Sequence, residues 1–148
     1  MLRFRSLLCG FLFFILPLAH AGIILTTLEG KQINFSALKG KWVLINYWAS
    51  WCHPCIDEIA ELNRFYQTHK DNVALFAVNF DALPLAEQKD LARKYELTYP
   101  ALAEDPGSAL NLGDIRGVPV TFVFDPEGNY RETLYGGQTE ASLAKAVM

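Results

Sequence analysis

WVLINYWASWCHPC, residues 42–55, joins a strand pattern to a helix pattern through two cysteines. Trp42 to Trp48 is a nearly continuous apolar run of strand length, as expected for a central strand covered on both faces. Ala49, Ser50 and Trp51 follow, then Cys52-His53-Pro54-Cys55, then a helical pattern. Ile56, Ile59, Ala60 and Phe65 or Tyr66 fall on one side of that helix, and Asp57, Glu61 and Arg64 on the other. It is expected to end near Thr68 to Lys70.

Downstream, Val73 to Phe80 (VALFAVNF) reads as a second buried strand, and Pro84 opens a helix carrying Leu85, Leu91, Ala92 and Tyr95. Tyr99 to Leu102 is a short extended piece, Gly107 to Leu112 one or two helical turns, and Thr121 to Phe124 a third buried strand. The turn Asp125-Pro126-Glu127-Gly128-Asn129 joins that strand to Tyr130–Leu134 as a hairpin. Thr139 is the expected N-cap of a last helix, with Glu140 in its first turn and Leu143 and Val147 on its inner face. Upstream, Gly22 to Gly40 reads as a strand or hairpin, IILTTL and QINFSAL about the turn Glu29-Gly30-Lys31, with Ile33, Phe35 and Leu38 inward. The alternation predicts an α/β fold, a central mixed sheet with helices on both faces. The right-handed crossover rule makes the first two buried strands parallel, joined through the helix that begins at the cysteine pair.

The whole chain of 148 residues is 51% hydrophobic and 20% charged, which suits one globular domain and excludes a disordered or fibrous protein. Its 13 Lys+Arg against 16 Asp+Glu give a net charge of -3, with no electrostatic footprint for nucleic acid and no polybasic surface for anionic lipid. Arg3 and Arg5, the apolar stretch Leu7 to Ala19 and Ala19-His20-Ala21 have the order of a secretory signal. Residues 1–21 are therefore expected to be a signal peptide and 22–148 the folded domain, placed in the periplasm. The other outcome is an uncleaved leader that tethers the domain to the inner membrane, facing the periplasm; the apolar stretch is shorter than the ~20 residues of a permanent span. Cys9 lies inside the apolar stretch, so a lipid-modified N-terminal cysteine is not expected. Cleavage leaves 11 basic and 16 acidic residues, a charge of -5, and only Cys52 and Cys55 as cysteines.

An exported chain with a single Cys-x-x-Cys has no partners for a disulfide scaffold, so the pair serves each other or a third thiol. Cysteines at i and i+3 in a first helical turn come easily within disulfide reach. Cys52 falls at the helix N-terminus, where free N–H groups and the positive end of the dipole favour thiolate, while Cys55, one turn inside, is less exposed. Cys52 is the expected nucleophile and Cys55 the resolving thiol. Three neighbours are expected to tune the motif: His53, when protonated, sets a cation beside the thiolate, Pro54 fixes the backbone at the helix start, and Trp51 directly precedes Cys52. A static disulfide closing two residues would constrain little of the unfolded chain. A zinc site would need His53 and His69 beside the cysteines, and His69 lies roughly 20 Å along the helix from Cys55; no metal is expected.

Asn46 to Cys55 resembles the active-site strand and helix start of the thioredoxin superfamily, and Gly117-Val118-Pro119-Val120-Thr121-Phe122 resembles its cis-proline loop. The resemblance covers essentially the whole mature chain and implies a three-layer sandwich with an N-terminal hairpin extension. Within the superfamily the chain is most similar to the exported TlpA/ResA-like thiol-disulfide oxidoreductases, on the leader, the hairpin followed by Ala37-Leu38-Lys39-Gly40-Lys41, and Glu58. The resemblance implies that Glu58 passes protons to or from Cys55; the alternative is a solvated first-turn glutamate favoured by the dipole. Asn46 stands where thioredoxin has a buried aspartate. Val118, ahead of Pro119, is implied to hold a substrate cysteine through its main chain, Trp51 to sit at the groove rim and Trp48 in the core. The expected activity is reduction of disulfides in exported proteins, including those of cytochrome c maturation, with no cofactor, protein thiols or disulfides as substrates, and electrons from a membrane donor of the thiol-reducing type. The rival activities are a disulfide oxidant or isomerase, and a copper-handling thioredoxin-like binding protein.

Overall fold

The computed structural model describes residues 22–148, so the leader reading and Cys9 lie outside the described residues. The elements run β1 (Ile24–Thr26), β2 (Gln32–Asn34), a 3-10 turn (Phe35–Leu38), β3 (Trp42–Trp48), α1 (His53–His69), β4 (Val73–Asn79), α2 (Leu85–Lys94), β5 (Ala101–Leu102), β6 (Val120–Phe124), β7 (Tyr130–Tyr135) and α3 (Glu140–Ala146). β1 and β2 form an antiparallel hairpin, and the other five strands form one sheet in the order β5-β4-β3-β6-β7. β3 and β4 are parallel, as the crossover through α1 requires, and β6 is antiparallel to β3 and to β7.

The apolar run of β3 is apolar because both its faces are covered. Leu44 and Trp48 point into a core shared with Leu75 and Ala77 of β4, Val123 of β6, and Ile59, Leu62, Phe65 and Leu143 of the helices. Val43, Ile45 and Tyr47 point the other way, into a core with Phe76, Val78, Phe122 and Phe124. Partly buried Leu91 and Tyr95 place α2 in the first core as well, so the three α-helices among the described residues cover one face, where the alternation predicted helices on both. The layer on the second face is the hairpin, the 3-10 turn and the segment carrying Leu110, Leu112 and Ile115.

Three local expectations change. Gly107 to Leu112 forms turns and no helix: Leu110 N donates to Pro106 O and Leu112 N to Gly107 O, but positive φ at Asn111 (55°) and Gly113 (74°) stops propagation. On α1 the inner stripe is Cys55, Glu58, Ile59, Leu62 and Phe65, with Ala60 exposed, a shift of the apolar face by part of a turn. On α2 the buried position is Gln88, whose Nε2 donates to Leu83 O at 2.7 Å, while Leu85 is exposed. The last helix is as expected: Thr139 Oγ1 accepts from Ser142 N, Ser142 Oγ accepts from Thr139 N, and Leu143 is fully buried.

Candidate active site

β3 delivers the chain to the end of the sheet, and α1 starts there with Cys52 as its N-cap. Cys52 and Cys55 are joined as a disulfide, their Cα atoms 5.2 Å apart, and Cys52 Sγ accepts from Cys55 N at 3.3 Å. Cys52 keeps 5% exposure and Cys55 none, so Cys52 is the only sulfur of the pair open to an incoming group. Pro54 sits in the first turn, where its missing N–H leaves nothing unpaired.

Antiparallel β6 brings its N-terminal end beside Cys52. The Val118–Pro119 peptide is cis, and Val118 O lies 3.6 Å from Cys52 Sγ. A disulfide sulfur carries no hydrogen, so this is a contact in the oxidised state; a reduced thiol there could donate to the same oxygen. An open groove of about 760 Å³ begins at Val118 and Pro119 and runs past Arg116, Leu112 and Tyr135. Trp51 stands at the rim, 66% exposed, with Nε1 donating to Asp81 Oδ1 at 2.5 Å, whereas Trp48 is buried edge-on against Tyr95. His53 Nε2 is 3.6 Å from Asp57 Oδ2, and both are well exposed, so the pair adds little even when His53 is protonated.

Glu58, one turn beyond Cys55 on the same face, is 3% exposed, which overturns the solvated alternative. Its Oε1 accepts from Asn46 Nδ2 at 2.8 Å and its Oε2 from the backbone N of Gln138 at 2.8 Å. Asn46 Nδ2 also donates to Thr121 Oγ1, its register partner across β3 and β6, at 3.0 Å. Burial pushes the Glu58 carboxyl up to about 6, against the two hydrogen bonds, which favour its charged form. The Tyr99 phenol is held above its ordinary value, first by burial and then by the Glu58 charge. Tyr99 Oη and Asn46 Oδ1 are both buried without a protein partner. Gln138, Thr121 and Tyr99 are the members of this cluster that sequence reasoning missed. Only the strand parity of Asn46 and Thr121 could have signalled the second of them.

The AhpC/TSA family model matches residues 19–133, which takes in Cys52, Cys55, Glu58 and the Val118–Pro119 peptide and ends within β7, before Gln138. The chain belongs to the AhpC/TSA family. It is 31% identical over 121 residues to the thiol-disulfide oxidoreductase ResA of Bacillus cereus, covering 81% of this chain and 69% of that one. It is also 31% identical over 121 residues to the thioredoxin-like protein YneN of Bacillus subtilis, covering 80% of this chain and 71% of that one. The crystal structure of StoA from Bacillus subtilis superposes with a TM-score of 0.69 at 27% identity, over 82% of this chain and 92% of that one. This AhpC/TSA member is a thiol-disulfide oxidoreductase of the ResA/StoA type, with Cys52 and Cys55 as its redox pair.

Proposed function

We propose that the protein reduces disulfides in exported proteins, with Cys52 as attacking thiolate, Cys55 as resolving thiol and Glu58 as its proton acceptor. The observation that carries the assignment of roles is the asymmetry of the pair: Cys52 caps the helix beside Val118 O and keeps the pair's only exposure, while Cys55 lies fully buried one turn from the buried Glu58 carboxyl. Starting from the dithiol, the Cys52 thiolate attacks one sulfur of a substrate disulfide; that bond breaks and the departing substrate sulfur takes a proton from solvent. A mixed disulfide remains on Cys52. Glu58 takes the proton of Cys55, whose sulfur then attacks Cys52 Sγ and expels the second substrate sulfur as a thiolate. The protein ends with the Cys52–Cys55 disulfide seen in this structure. Two electrons from a membrane donor of the thiol-reducing type restore the dithiol.

Val118 pairs with the main chain beside the substrate cysteine, next to Pro119, and the groove past Arg116 and Tyr135 takes the residues that follow it. Support for export comes from the leader, residues 1–21, which delivers the domain 22–148 to the periplasm or holds it on the inner membrane. Support for a place in cytochrome c maturation comes from the TlpA/ResA-like resemblance. Trapping tests substrate and direction together. Cys55→Ala should freeze the mixed disulfide on Cys52, and mass spectrometry should find exported proteins, cytochrome c precursors or their maturation partners among those captured. A reduction potential at the oxidising end of a glutathione titration would replace the reductase by an oxidant or isomerase.

A further inference from the structure

Glu58 keeps its position through a donor that belongs to a glycine turn. Between β7 and α3 the chain runs Tyr135-Gly136-Gly137-Gln138, and Gly136 has φ of 79°. Two consecutive glycines give a backbone of high conformational freedom, so something must hold the N–H of Gln138 on Glu58 Oε2 at 2.8 Å. The Gln138 side chain does so from both directions. Its Nε2 donates back to Gly136 O at 3.0 Å and to Tyr135 O at 3.4 Å, and its Oε1 accepts from Ser142 Oγ, in the first turn of α3, at 2.9 Å. Gly136 N in turn donates to Pro119 O at 3.0 Å, so the same turn rests on the proline beside Cys52.

We infer that Gln138 is a positioning residue: its side chain ties the Tyr135–Gly136 turn to α3 and thereby holds its own backbone N–H on the Glu58 carboxylate. Its functional consequence rests on the acid–base role proposed for Glu58. The groups facing Glu58 are Asn46 from β3, Tyr99 from the segment before β5, Gln138 from this turn, and Cys55 on its own helix; among them Tyr99 titrates, and Cys55 carries a proton only once the disulfide is reduced. Loss of the Gln138 donor removes stabilisation from the charged form alone, because a protonated carboxyl accepts weakly from an N–H. Glu58 then holds its proton to higher pH.

The test uses Gln138→Ala and the near-isosteric Gln138→Met, both of which keep the backbone N–H and lose the clamp. Carbon-13 NMR of the Glu58 carboxyl should show its titration displaced upward by about half a pH unit or more in both variants, with the rising limb of the disulfide-exchange pH profile displaced the same way. Merely loosened packing would lower the melting temperature and leave that titration in place. Wild-type titration of Glu58 in both folded variants overturns the inference. Glu58→Gln, run alongside, judges the underlying reading separately: if it leaves the pH profile unchanged, the acid–base role falls, while the carboxyl titration still decides whether Gln138 positions Glu58.

Discussion

Glu58 departs from the usual linkage of an acid to stability. Its folded value, about 6, lies above the 4.5 of an unperturbed glutamate, so the folded state binds this proton more tightly than the unfolded state does. Its contribution to stability is therefore greatest below about pH 4.5 and is lost as pH rises through about 6; the shift corresponds to about 2 kcal/mol. Glu58→Gln should remove this component. The difference in urea midpoint between variant and wild type should change in the variant's favour between pH 4.5 and 7, and a difference independent of pH would mean that the folded carboxyl titrates normally. The same ionisation should govern exchange: the rise in the wild-type resolving rate near pH 6 should vanish in Glu58→Gln, with a loss on the order of 100-fold above it. At this scale the cysteines and the proline stood out in the sequence because their identity carries the pattern. The second donor to Glu58 could not, since a backbone N–H exists at every residue except proline and only the fold says which one arrives.

Elements were legible where one face dominates their composition. β3, β4 and β6 are nearly continuous apolar runs, interrupted by the buried Asn46 and Thr121, because water reaches neither side, and the turn at Asp125 announces itself through residues that bond their own backbone, Asp125 Oδ1 accepting from Asn129 N at 2.8 Å. The inner stripe of α1 was harder to place, because Ala60 and Leu62 both fit an apolar list while Glu58, a charged residue, belongs to the buried side. The turns at 107–112 read as one or two helical turns, and the bond from Leu110 N to Pro106 O has helical spacing, but the positive φ at Asn111 and Gly113 interrupts it. Among the described residues α3 is the shortest α-helix and depends on its cap. Thr139→Ala breaks one half of the capping box and should cost about 1 kcal/mol in urea unfolding. A loss below about 0.3 kcal/mol would show that the burial of Leu143 alone holds the helix.

For the molecule as a whole, the two faces of the sheet are covered by different means. The redox pair, Glu58 and the three α-helices of the described residues belong to one side. The other depends on the N-terminal hairpin, which is laid over it and tied to its edge: Leu28 N donates to Ala101 O and Ala103 N to Thr26 O, an isolated antiparallel bridge between the end of β1 and β5. Leu25, in the middle of β1, is 1% exposed and packs among Val43, Ile45 and Phe124. A terminal strand with this burial should behave as core. Leu25→Ala should destabilise the fold by about 2–5 kcal/mol, the range for a leucine cavity that cannot collapse. The pH profile of thiol exchange by the folded protein should stay as it was, because Glu58 and its donors lie across the sheet. A loss under about 1 kcal/mol would mean that the hairpin is an appendage; an altered pH profile would mean that the two cores communicate through β3, whose residues alternate between them.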